Sequence, residues 1–166
     1  MDRFVSTFTN KIDAKGRVSI PASFRGVLAR DGYEGGIYCY PAVGAAALDA
    51  GGERLAQKID HLLGDLPDYS VERDELSVAF YGDVQVLNID RDGRIVLPPE
   101  LRTHAGIDTH VAFVGLGEKF QMWQPERFEV FRAEARAKAE QHRRLFGAGS
   151  RPRSPDDRGG SEGARE

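Results

Sequence analysis

Ile12-Asp13-Ala14-Lys15-Gly16-Arg17-Val18-Ser19-Ile20-Pro21-Ala22-Ser23-Phe24-Arg25 occurs twice in this chain. The second copy, 77 residues on, reads Ile89-Asp90-Arg91-Asp92-Gly93-Arg94-Ile95-Val96-Leu97-Pro98-Pro99-Glu100-Leu101-Arg102. Six of the fourteen positions are identical, and Val18/Ile95, Ile20/Leu97 and Phe24/Leu101 keep apolar character. A repeat that preserves its turn, its charge and its core positions is one structural unit built twice. Whatever surface the unit presents is presented twice.

Each copy has a local physical reading. Asp13 opens a turn, where its carboxylate can accept backbone N–H groups, and Gly16 sits where the loop needs a left-handed residue. Asp90 and Gly93 repeat both roles. Apolar alternation on either side (Phe8, Ile12; Val18, Ile20) predicts a half-buried hairpin within the copy. Pro21 and Pro98 preset the first turn of a short helix, with Phe24, Val27 and Leu28 on one apolar face and Leu101 and Ala105 on the other copy's. Gly106 is the expected C-terminal stop.

The rest of the chain predicts a strand over Ile37 to Tyr40 and a helix from about Ala45 to Leu63, ended by Gly64 and Pro67. A second helix is expected over Tyr69 to Phe80. A hairpin follows, Val111 to Val114 and Phe120 to Trp123, and then a charged helix from Pro125 to about Phe146. Beyond Gly147 no apolar residue is larger than alanine, so that stretch is expected to be disordered. The expected organisation is residues 1–64 for the first unit with its helices, 65–146 for the second, and 147–166 for the tail.

Composition narrows the function. At 166 residues and 40% apolar, the chain can bury one sizeable core. It carries no span-length apolar run and no secretory layout at Met1-Asp2-Arg3-Phe4, and its single Cys39 suits a reducing compartment. A cytoplasmic protein is expected. Net charge is −3, but it is unevenly spread. Lys11 to Arg30 holds five bases against one acid, whereas Asp49 to Asp92 holds eleven acids against four bases. A polarised protein can dock a polyanion on one face.

Lys15, Arg17, Arg91 and Arg94 sit at or beside the two loop tips, and Lys11 precedes the first. A guanidinium can bind phosphate, or the O6/N7 edge of guanine, through two hydrogen bonds. Asp13 and Asp90 read as loop-structuring residues that orient Arg17 and Arg94, since a carboxylate facing a phosphate would be repelled. Arg25 and Arg102 read as ion-pairing residues flanking the core. His61, His104, His110 and His142 lack metal-site spacing, Ser19 and Ser23 lack partners for nucleophilic catalysis, and Gly115-Leu116-Gly117 reads as a hairpin turn. No catalytic constellation, metal or cofactor is expected.

The two copies, with Leu101-Arg102-Thr103-His104-Ala105-Gly106-Ile107, Phe113-Val114-Gly115 and Lys119-Phe120-Gln121-Met122-Trp123, resemble the MraZ family of bacterial transcriptional regulators. The likeness spans roughly residues 4 to 130, and a single copy also resembles AbrB-type regulators. It implies an α+β fold: a swapped-hairpin β-barrel formed by two internal repeats, each with flanking helices. It implies DNA contact through Asp13/Arg17 and Asp90/Arg94. It also implies ring-shaped homo-oligomers that bind direct repeats upstream of the division and cell-wall gene cluster containing the family's own gene. At Phe4-Val5-Ser6 the chain departs from the Phe-x-Gly of many members. The expected partner is double-stranded DNA at the nucleoid, with no membrane and no small-molecule ligand. The rival expectation is an oligomeric protein-interaction module or antitoxin-like partner, for which the acidic middle segment would suit.

Overall fold

The repeated segments do not pair with themselves; each pairs with the other. The computed structural model describes residues 2–32 and 36–148. In its first half lie β1 (Thr7–Lys11), β2 (Arg17–Ser19), α1 (Ala22–Asp31), β3 (Ile37–Pro41), β4 (Leu48–Gly51) and α2 (Glu53–Gly64). The second half holds α3 (Val71–Ser77), β5 (Gln85–Leu87), β6 (Arg94–Val96), α4 (Pro99–Ala105), β7 (His110–Gly115), β8 (Phe120–Trp123), α5 (Pro125–His142) and α6 (Arg144–Ala148). A π-helical turn, Val78–Gly82, continues α3. The described residues up to 128 form one compact unit, and those from 129 to 148, the remainder of α5 together with α6, belong to a second.

All the ladders are antiparallel, and β1 pairs β7, β2 pairs β6, β3 pairs β5 and β4 pairs β8. Only β3–β4 and β7–β8 join neighbours within a half. Exchanging the halves maps this set of pairings onto itself, so the chain has an internal pseudo-two-fold. Its centre is the β2–β6 ladder, where Val18 faces its own repeat equivalent, Ile95. Two further bonds extend that ladder symmetrically: Leu97 N–H donates to Gly16 C=O at 3.1 Å, and Ile20 N–H to Gly93 C=O at 3.0 Å.

Two expectations are corrected by this topology. The alternating arms of each copy do not form a local hairpin. The turn itself closes, with Asp13 N–H donating to Arg17 C=O at 2.9 Å, but β1 and β2 then part to separate partners. Strands of three to five residues bury too little when paired alone. Pairing across copies instead puts Val18, Ile20, Ile95 and Leu97 into one core with Phe4, Phe24, Phe113 and Phe120. Nor do the ladders close into a barrel. Among the described residues they form an open six-stranded sheet, β1-β7-β8-β4-β3-β5, and a separate two-stranded one, β2-β6.

The helix expected from Ala45 is also corrected. Its first part is strand β4, with all four residues buried between β3 and β8, and the helix starts only at Glu53. Alanine favours helix, but tertiary burial outweighs so weak a local preference. The second helix, with its π-helical continuation, begins and ends two residues later than expected, and the last one breaks after His142 before α6. The tail from residue 149 lies outside the described residues. Cys39 is buried and unbonded, and burial first, then the nearby Asp49 charge, pushes its thiol up. Among the described residues no helix is long and apolar enough to cross a membrane.

Ser6, which stands where many members of the resembled family carry glycine, has φ +75°. A left-handed conformation costs an L-residue about 1–2 kcal/mol, partly offset because glycine loses more chain entropy on folding. Ser6→Gly should therefore raise unfolding stability by roughly 0.5–1 kcal/mol, read as a shift of the urea midpoint at constant slope.

Candidate nucleic-acid interface

Both loop tips are built alike, from the carboxylate outward. Asp13 Oδ1 accepts the backbone N–H groups of Lys15 and Arg17, each at 2.9 Å. Asp90 Oδ1 accepts those of Asp92 at 2.8 Å and Arg94 at 2.9 Å. Gly16 at φ +80° and Gly93 at φ +78° take the left-handed step that lets the chain return. The second carboxylate oxygen holds the arginine: Arg17 Nε lies 2.7 Å from Asp13 Oδ2, and Arg94 Nε 3.3 Å from Asp90 Oδ2. Such half-exposed pairs, screened by solvent, contribute little stability, and their effect is to orient the guanidinium.

The pseudo-two-fold brings the two tips together. Arg94 Nη1 lies 3.9 Å from Asp13 Oδ2, so one carboxylate of the first loop faces both arginines. Both arginine side chains are about seven-tenths covered, whereas Lys11, Lys15 and Arg91 are exposed. The tips differ in charge. Arg17 pairs with Asp13 alone among the described residues, whereas Arg94 also reaches Asp92 at 3.0 Å. The first tip is therefore the more cationic.

Arg25 and Arg102 are placed where sequence reasoning did not put them. Neither makes an ion pair among the described residues; each packs beneath the opposite copy's loop. A Cβ on Gly93 would collide with the Arg25 guanidinium, and one on Gly16 would meet Arg102 Nη1 at 3.6 Å. Arg25 Nη1 donates to Asp92 C=O at 3.4 Å, and Arg102 Nη2 to Asp108 C=O at 2.7 Å. The available signal was that this arginine is one of the six identities of the repeat. Its destination was not legible, because it depends on the exchange of strands between copies.

Comparison with known proteins identifies the lineage. A relative named transcriptional regulator MraZ from Beijerinckia indica is 53% identical over 94% of this chain and 93% of its own length. That from Azorhizobium caulinodans is 53% identical over 90% of this chain and 95% of its own, and that from Methylocella silvestris is 48% identical over the full length of both. The chain belongs to the MraZ family. Residues 80–147 also match the family description "MraZ protein, putative antitoxin-like". In this MraZ chain the two repeated loops meet at one carboxylate, that of Asp13. Among the described residues no cluster of three or more His, Cys, Asp or Glu side chains could hold a metal ion.

The loop carboxylates also set an acid limit. Backbone N–H donation from Arg17 is the largest influence holding the Asp13 carboxyl below its ordinary 3.8, and donation from Arg94 does the same for Asp90. A depressed folded value means that this stability is present above the unfolded carboxylate range and is lost as pH falls through the folded values. Urea midpoints should hold above about pH 5 and decline below it, and Asp13→Asn with Asp90→Asn should flatten that decline while lowering the neutral-pH midpoint. An acid limb unchanged in the double variant would contradict this assignment.

Proposed function

We propose that this MraZ-family chain is a transcription regulator that grips double-stranded DNA through the paired Asp13–Arg17 and Asp90–Arg94 loops. The observation that supports this best is the contact between the tips: Arg17 and Arg94 converge on Asp13 with Lys15 and Arg91 exposed beside them. Asp13, Gly16, Asp90 and Gly93 shape the loops, while Lys15, Arg17, Arg91 and Arg94 meet the duplex, with Lys11 on the neighbouring strand. The exchanged strands form an AbrB-like swapped-hairpin core. The relatives' shared name, transcriptional regulator, supports the same reading.

One loop pair neutralises few phosphates, and binding at that scale is weak, with dissociation constants of about 10⁻⁴ to 10⁻⁶ M at physiological salt. Repetition supplies the remainder. A ring-shaped homo-oligomer presents its loops in one orientation and suits directly repeated boxes, where linked sites gain affinity through effective concentration. The regulator then represses by bridging boxes upstream of the division and cell-wall cluster that includes its own gene, in the cytoplasm at the nucleoid. It needs no cofactor and performs no catalysis.

A second reading, an antitoxin-like protein-interaction module, draws on the family description and on the exposed acids Glu72, Asp74 and Glu75 of α3. Salt titration separates the two. Phosphate contacts give a steep linear fall of log K with log salt, while a protein-binding module without a DNA site has no such affinity to lose. At one fixed salt, Arg17→Ala should weaken binding to a multi-box fragment more than Arg94→Ala, because Arg94 is the more neutralised. A fragment with several boxes should bind more tightly than a single box; equal affinities would overturn the bridging mechanism.

A further inference from the structure

On the face of the sheet away from the Val18–Ile95 ladder's core cluster, the cross-strand row Tyr40, Asp49 and Gln121 runs over β3, β4 and β8. Asp49 is buried, and both its carboxylate oxygens are engaged. Lys119 Nζ donates to its Oδ2 at 3.0 Å and Gln121 Nε2 to its Oδ1 at 2.8 Å. Above Tyr40 and Lys119 opens a cavity of about 420 Å³, within the range of small-molecule sites. Its apolar wall is Leu55, Ile59, Leu62 and Phe80, and its rim carries Arg3, Lys58 and Glu118.

Charge and apolar surface are distributed unevenly along this cleft. Arg3 and Lys58 make no ion pair among the described residues, and Lys119 is already neutralised by Asp49. With Glu118 opposing one of them, the rim keeps an excess of one positive charge. In the other direction the cleft adjoins a hollow of about 230 Å³ lined by apolar side chains alone, Leu63, Leu66 and Leu76 among them. The two spaces share Ile59, Leu62 and Phe80. Leu62, at their junction, is 55% exposed, so the fold leaves apolar surface here that it does not use.

We infer that this cleft binds a small amphipathic anion, with one carboxylate or phosphate head at Arg3 and Lys58 and an unbranched apolar tail running along Leu62 toward Leu66 and Leu76. A neutral head would leave the rim cations uncompensated, and a wholly polar ligand would leave the apolar hollow empty. The site also touches the hairpin Leu116–Lys119, whose Gly117 exchanges two backbone hydrogen bonds with Phe4, at 2.8 and 2.9 Å, just before β1 runs to the first loop. The cleft thus lies on the chain segment that leads into the DNA-facing tip, as a regulatory ligand would require.

Calorimetric titration of the full chain with octanoate, octyl phosphate and octan-1-ol, all below micelle formation, tests this without DNA, so its outcome is independent of the DNA reading. At least one anion should bind saturably, with octanol about tenfold weaker, and the better anion identifies the head group. Lys58→Gln should reduce anion affinity by about the same factor, and Leu62→Gln should weaken all three ligands. Lys58 and Leu62 are both exposed, and unchanged thermal midpoints of the unliganded variants verify folding. Lys138→Gln, on α5, should change nothing. Absence of saturable binding by either anion, equal binding of octanol, or full affinity in both cleft variants would overturn the inference.

Discussion

The β2–β6 ladder is the constraint on which the rest of the structure depends. It joins each repeat to its own equivalent, Val18 to Ile95, and its symmetric register makes the remaining cross-copy pairings come in matched sets. Three residues per strand would not hold alone. Their stability comes from the core beneath, where Phe24 packs edge-on to Phe4 at 5.3 Å between ring centres and tilted against Phe120 at 5.2 Å. Because chain segments from both halves share that core, neither repeat can move without the other.

The same ladder sets the electrostatics of the loop tips. It lays the two turns side by side, so that Asp13 serves Arg17 directly and approaches Arg94 as well. The turn carboxylates act in two ways: one oxygen organises the backbone and the other aims a guanidinium. Of the arginines below, Arg25 donates to the opposite copy's loop at Asp92 C=O, while Arg102 packs beside Gly16 and donates to Asp108 C=O of its own half. The backbone hydrogen bonds to Asp13 and Asp90 hold both turns, so the cationic edge at this end is preorganised. Most acids of the middle segment lie outside the loops, and at the tips Lys15, Arg17, Arg91 and Arg94 outnumber Asp13, Asp90 and Asp92, so a net negative protein still presents a cationic tip.

Much of this was legible from residue order. Gly16 and Gly93 adopt positive φ as the turn chemistry requires, Gly106 ends α4 in the left-handed conformation, and the β7–β8 hairpin falls where alternation placed it. That the two loops carry Lys15, Arg17, Arg91 and Arg94 was plain from spacing and charge, whereas DNA contact through them was implied only by the family resemblance. The sequence did not disclose that Leu48–Gly51 is a strand, since an alanine-rich stretch reads as helix until its burial on both sides is known. Nor could it disclose the buried Asp49–Lys119 pair, whose partners lie 70 residues apart.

The division between the two has a physical basis. Residue order by itself determined what depends on a few neighbours: which positions turn, which face of each strand is apolar, that α1 and α4 begin directly after Pro21 and Pro98, and that the whole pattern occurs twice. Tertiary structure alone decided the partners. Alternation assigns a strand's buried face but not the strand that will lie beside it, because a backbone ladder is chemically the same for any neighbour. The choice of the other copy over the nearest hairpin arm follows from the apolar surface that only the assembled core can cover.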